Sequence, residues 1–236
     1  MKKAFTLAEV LITLGVIGIV AALTIPTLIS NYQEKQTVIR VKEAYTLLNS
    51  AVQMAVVEHG PVNTWLTGSI TDDGDLNYET FSPMLFEKII PHLKIVFKCT
   101  DILECRRHAY TYSNLIGTSA MWIMNYNGAK LSNGTYIQIQ STGSCTSQFE
   151  IQNACGTIRI DVNGPNPPNQ RGKDIFLFAI NNKGYVLPNK FNSQRCNLVD
   201  DTYVNGDACT EWVILKGNLN YLKCDGLSIN GKDTCD

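Results

Sequence analysis

The sequence predicts an α+β fold. A long N-terminal helix, half membrane segment and half amphipathic, lies on a four- to five-stranded antiparallel sheet, and a disulfide-rich C-terminal cap closes the chain. Three observations predict it. Residues 10–29 are an uncharged apolar run, residues 38–55 carry apolar side chains at helical spacing, and from residue 119 onward the pattern shortens to that of strands.

Val10 to Ile29 is 20 residues without a charge. As a helix this run spans ~30 Å, the thickness of a bilayer core. Lys2 and Lys3 favour the cytoplasmic side, which places everything after Ile29 outside. Three arrangements compete: a secretory signal cut near Ala22, a plain membrane anchor, and a cut before the apolar run. Glu9 separates them. A carboxylate near a helix core costs ~2.5–3.5 kcal/mol, less at the interface, and a signal peptide gains nothing from it.

After Ile29 the helix is expected to continue. Val38, Val41, Tyr45, Leu48, Val52 and Ala55 follow steps of 3, 4, 3, 4 and 3, which draw one stripe along its side. Gly60-Pro61 ends it. A coiled coil is set aside, because three heptads are short and no charge pattern flanks them. Ser82 and Pro83 read as a cap and first-turn proline, predicting a helix over 83–90 that ends before Pro91. Strands are expected over 119–126, 135–140, 157–162, 175–180 and 185–187, with turns at Asn133-Gly134 and Asn182-Lys183-Gly184. The region 61–188 is thus one globular unit, with residues 30–60 as its covering helix. The cap, 189–236, shows one strand-like run, Trp212 to Leu215.

The 236 residues hold 20 Lys and Arg against 21 Asp and Glu, a net charge of −1 that indicates no nucleic-acid partner. Eight cysteines (Cys99, Cys105, Cys145, Cys155, Cys196, Cys209, Cys224 and Cys235) all follow residue 98. No Cys-x-x-Cys occurs and His59, His92 and His108 are scattered, so disulfides in an oxidising compartment are expected rather than zinc or a redox motif. Short loops close easily, which pairs Cys99 with Cys105 and Cys145 with Cys155. The four cysteines of the tail stay unassigned. No phosphate loop, nucleophile elbow or zinc-protease motif is present, and no enzyme is expected.

The stretch Lys-Lys-Ala-Phe-Thr-Leu-Ala-Glu before an apolar run resembles the leader of type IV pilins and type II secretion pseudopilins. The resemblance covers residues 1 to about 30, with alanine at position 4 where the family usually has glycine. It implies a leader, 1–4, cut between Ala4 and Phe5 by a prepilin peptidase, then N-methylation of Phe5. Residues 5–29 become the filament-core helix, with Glu9, Gly15, Gly18 and Pro26 serving assembly. The new ammonium lies one turn from Glu9, so the acid can pair within its chain or with a neighbour and reward one axial register. Proline in a helix interior costs ~3 kcal/mol and glycine lets helices approach closely. The family implies that 18–26 melts on entering the filament.

The implied function is a structural subunit held in the bacterial inner membrane and then assembled into a periplasmic or surface filament. Its implied partners are copies of itself, other pilin-like subunits, the peptidase, the assembly platform and membrane lipid. The alternative is a membrane-anchored, disulfide-rich binding or hydrolytic domain that never polymerises. The loop 161–174 gathers Asp161, Asn163 and Asp174, oxygen donors suited to calcium, which some pseudopilins hold beside the sheet. Pro165 and the lack of a closing glutamate depart from the EF-hand, and the same residues build tight turns, the favoured reading. Asn133-Gly-Thr135 matches a glycosylation acceptor, which the turn explains as well.

Overall fold

The fold grows from one helix. α1 runs unbroken over Leu7–His59. The computed structural model describes residues 6–66, 78–123, 127–148 and 150–235, so the expected leader with Ala4 and Phe5 lies outside the described residues. Two compact units divide the chain, 1–36 and 37–236.

In the first unit the helix has no cover among the described residues. Leu7 is 79% exposed, Leu23 74% and Leu28 70%. Apolar side chains point to every side, so this stretch is long and apolar enough to cross a membrane.

In the second unit the expected stripe is buried. Val38, Val41, Leu48, Val52 and Ala55 lie in the core, with Ala44 and Ala51 beside them as small residues that admit close packing. Tyr45 is half-buried and stacks on Phe178 with ring centroids 5.7 Å apart. The surface they cover is a six-stranded antiparallel sheet. Its order is β1(Ile95–Cys99), β4(Gly128–Leu131), β5(Tyr136–Gln148), β6(Ile151–Asp161), β7(Ile175–Asn181), β8(Val186–Pro188). The middle of β7 is buried on both faces, from Ile175 through Ile180.

The outermost strand is tied to the helix. Asn49 donates its amide to the Val186 carbonyl at 3.3 Å and accepts from the Val186 N–H at 3.0 Å. Gln53 donates to the Gly184 carbonyl at 2.7 Å. These bonds occupy backbone groups that an edge strand would leave open. Gly184 is required there: it sits at φ +83°, and a Cβ would strike Val56.

Several expectations need correction. The sheet has six strands rather than four or five, because β1 and β4 are too short and too rich in lysine, glycine and cysteine to announce themselves. The strand expected over 119–126 is β3(Ala120–Ile123), and it pairs with β2(Tyr110–Ser113) in a separate two-stranded sheet; residues 124–126 lie outside the described residues. The helix α2 runs over Tyr78–Ile89 with Pro83 inside it rather than at its start. Its fully buried Leu85, Phe86 and Ile89 offset the one hydrogen bond a proline forfeits. The run Trp212 to Leu215 is helical, within α4(Thr210–Lys216), and Gly217 ends it in the left-handed conformation.

All eight cysteines pair with their neighbours in sequence. The bridges are Cys99–Cys105, Cys145–Cys155, Cys196–Cys209 and Cys224–Cys235. The first clasps the short helix α3(Ile102–Arg106), which Asp101 caps through the amides of Leu103 and Glu104. The C-terminal region shares the main core, since Trp212, Val213 and Tyr221 belong to the same apolar cluster as the sheet.

Candidate functional site

The first turn of α1 carries the residue that the sequence singled out. Thr6 and Glu9 bond reciprocally. The Glu9 Oε2 accepts from the Thr6 backbone N–H at 2.9 Å and from its hydroxyl at 2.8 Å, while the Thr6 Oγ1 accepts from the Glu9 N–H at 3.3 Å. This is a capping box, in which threonine and an acid three residues on satisfy donors that a helix start leaves open. Its signal, Thr-x-x-Glu ahead of an apolar run, stands in the sequence. One carboxylate oxygen does all this work, and Oε1 makes no hydrogen bond among the described residues.

Gly15 and Gly18 have open space where a Cβ would sit, and Pro26 lies within a helix that stays helical through 18–26. These three residues and Glu9 therefore share one uncovered apolar helix. Ala4 and Phe5, the expected cleavage residues, lie outside the described residues.

The second candidate is the loop between β6 and β7. Asp161 and Asp174 do come together, both buried. Asp161 accepts from the Tyr110 hydroxyl at 2.6 Å and from the Asn163 N–H at 3.1 Å. Asp174 accepts from the Asn169 N–H at 2.8 Å and the Gln170 N–H at 2.7 Å. Asn163 donates its amide to the carbonyls of Asn166 and Pro167. Burial, then the charge of Asp174, pushes the Asp161 carboxyl up to about 8. Burial raises Asp174 too, opposed by the hydrogen bonds from Gln170 and Asn169. Burial and the adjoining Asp161 push the Tyr110 hydroxyl well above its ordinary range, which keeps it a proton donor.

A calcium ion asks for six to eight oxygens, ~2.3–2.6 Å away. Here the carboxylates are already engaged by a hydroxyl and by amides, which the ion would have to displace. Among the described residues no three of His, Cys, Asp and Glu converge as a metal site would need. The residues fit the turn reading better than a cation cage. Tyr110 lies 51 residues from Asp161, so no local sequence signal could have announced the pair.

Residues 27–197 match a family of unknown function (DUF6613). No curated protein and no solved structure matches the chain.

Proposed function

The chain belongs to that family of unknown function (DUF6613), and within it we propose that this protein is a pilin-like filament subunit. It is stored in a bacterial inner membrane, cut before Phe5 by a prepilin peptidase, methylated there, and assembled through its N-terminal helix. Copies of itself, other pilin-like subunits and an assembly platform are its partners, and the assembly system's ATPase supplies the work.

One observation carries the reading: α1 is continuous from Leu7 to His59. Its apolar part passes without a break into the part that covers the sheet. A signal-peptide cut near Ala22 would start the mature chain in mid-helix and leave Leu23, Ile25, Leu28 and Ile29 exposed to water. A cut before Phe5 keeps the helix whole. The Oε1 of Glu9, which makes no hydrogen bond among the described residues, supports an incoming ammonium as its partner. The four bridges accord with a head outside the cytoplasm.

A second reading also has an observation behind it. The Thr6–Glu9 box gives the acid a partner in its own chain, as a plain anchor would need. Mass spectrometry of the mature N-terminus separates the two. Methylated Phe5 is the expected result, and an intact Met1 or a start near Thr24 overturns the filament reading.

A further inference from the structure

The sequence holds five Asn-Gly pairs, at Asn127, Asn133, Asn163, Asn205 and Asn230. Such a pair can react with itself. The glycine nitrogen attacks the asparagine Cγ, and glycine has no Cβ to shield it. The attack needs an asparagine side chain free to turn, a glycine N–H free to leave its acceptor, and water to complete the reaction. Each hydrogen bond that holds either group opposes it. The fold grants these conditions unequally.

Three pairs are locked. Asn127 is 1% exposed, and Gly128 is paired in β4 with Cys99 and Gln138. Asn163 donates its amide to the carbonyls of Asn166 and Pro167, at 3.0 and 3.2 Å. Asn205 is fully buried. Its amide donates to the carbonyls of Asn197 and Asp200, its Oδ1 accepts from the Asn197 N–H, and the Gly206 N–H donates to the Arg195 carbonyl at 2.8 Å. Asn133 is half held. It is exposed, yet its Oδ1 accepts from the Thr135 N–H at 3.1 Å and the Gly134 N–H donates to the Leu131 carbonyl at 3.0 Å. Asn230 is the open case. It is exposed, and neither end of its side-chain amide makes a hydrogen bond among the described residues. The Gly231 N–H reaches the Ser228 carbonyl only at 3.4 Å, longer than the usual range. Buried Leu227 anchors this turn on one side, and the Cys224–Cys235 bridge closes the loop that holds it.

We propose that Asn230 is a self-modification site, where the chain converts its own side-chain amide to an acid with water as the only co-reactant. The Gly231 nitrogen gives its proton to solvent base and bonds to Asn230 Cγ. The Cγ–Nδ2 bond breaks and ammonia leaves, taking a proton from solvent, which closes a succinimide ring. Water then adds to either ring carbonyl, and the C–N bond at that carbonyl breaks. One opening gives aspartate. The other gives isoaspartate, in which the backbone runs through the former side chain. No oxidant or reductant takes part. Either product adds one negative charge to a chain of net charge −1. The charge arises in the turn that Lys232 closes, its carbonyl accepting from the Ser228 N–H at 2.8 Å. The tail therefore acquires an acidic form with age, whether or not the protein polymerises.

The test is peptide mapping by mass spectrometry of the oxidised full chain, kept folded in detergent at mildly alkaline pH, beside the same chain reduced and unfolded in urea. In the unfolded chain all five pairs should convert. In the folded chain Asn230 should convert first and Asn133 more slowly, while Asn127, Asn163 and Asn205 remain amides. The products at Asn230 should include isoaspartate, and the rate should rise with pH as the nitrogen loses its proton more readily. Gly231→Ala should slow conversion of Asn230 about tenfold, a barrier higher by ~1.4 kcal/mol, and leave that of Asn133 unchanged. The new Cβ has to turn aside only the exposed Ser228 hydroxyl, and unchanged thermal melting shows that the variant folds. An Asn230 that stays intact in the folded chain while the unfolded chain converts overturns the proposal. So does a folded chain in which Asn133, Asn163 or Asn205 keeps pace with Asn230, a Gly231→Ala rate equal to wild type, or conversion without isoaspartate.

Discussion

The two halves of α1 are built from similar residues and meet opposite fates. In residues 7–36 the large apolar side chains stand open: Ile12 is 66% exposed, Ile17 63% and Ile19 64%. In residues 37–59 Val41, Leu48 and Val52 are fully buried against the sheet. Backbone propensity explains neither. A helix is held mostly by what packs on its apolar face. The second half finds that cover in its own chain. The first half finds no such cover among the described residues.

The largest effect comes from placing one charge in each half. Leu48→Asp removes a core side chain and buries an unpaired carboxylate, which should destabilise the head by at least ~5 kcal/mol. Ile17→Asp should leave the melting temperature of the head unchanged and lower the fraction of protein in the membrane. Thermal melting in detergent, beside an immunoblot of membrane fractions, measures both. Equal loss of melting temperature in the two variants would break the contrast between the halves.

Charges divide in the same way between covered and open positions. Asp207→Ala leaves Arg171 buried without its carboxylate and should cost ~3–5 kcal/mol. Glu87→Ala removes an exposed partner of Lys98, 3.1 Å away, and should cost no more than ~1 kcal/mol. Urea unfolding of the two variants ranks them, and a similar loss in both would show that the buried cluster holds no special place in the fold.

The sequence showed what depends on neighbours along the chain. The 3–4 stripe of α1, the Asn133-Gly134 turn and the bridges Cys99–Cys105 and Cys145–Cys155 are all local, and each stands where expected. The run Trp212 to Leu215 is helical where a strand is expected, because four apolar residues fit a strand or a buried helix equally. Its ending at Gly217 was the usable sign. Pro83 misled for a different reason: tertiary burial outweighed a local rule. The polar clusters were invisible, since Arg171 meets Asp207 across 36 residues and Asn49 meets Val186 across 137. Glu9 is the reverse case, a local capping signal legible from Thr6 three residues before it.

A smaller effect follows from the buried carboxyl of Asp161. Its proton is held more tightly in the fold, up to about 8, than in the unfolded chain, near 4. Between those values the folded state binds more protons than the unfolded state. Stability is therefore full below pH ~4 and lost as pH rises toward 8, by at most ~1.4 kcal/mol per pH unit from this group. Asp161→Asn keeps an acceptor for Tyr110 and cannot ionise, so its stability should vary less with pH. Denaturant unfolding at steps from pH 5 to 8 compares the slopes. Parallel slopes for wild type and variant would show that Asp161 is ionised in the fold.

The smallest effect on stability returns to the uncovered half, at Thr6 and Glu9. The two residues share a capping box, so either one could be kept for the cap alone. Substitutions separate the roles. Thr6→Val removes the hydroxyl that accepts from the Glu9 amide, yet keeps the carboxylate and its bond from the Thr6 backbone. Glu9→Gln keeps an acceptor for both Thr6 donors, yet removes the charge. If the acid serves only to start the helix, Thr6→Val is the more harmful change and Glu9→Gln is tolerated. If it meets the ammonium of an incoming subunit through Oε1, the order reverses, because an amide cannot replace a carboxylate opposite a cation in a medium of low dielectric. The expected result is that both variants are processed and inserted like wild type, that the head melts unchanged, and that Glu9→Gln loses filaments while Thr6→Val keeps most of them. Electron microscopy of sheared filaments, beside an immunoblot for processed protein, reads the outcome. Abundant filaments from Glu9→Gln with wild-type copies absent would assign the acid to the cap, and the uncovered half of α1 would then lack any polar device for axial register.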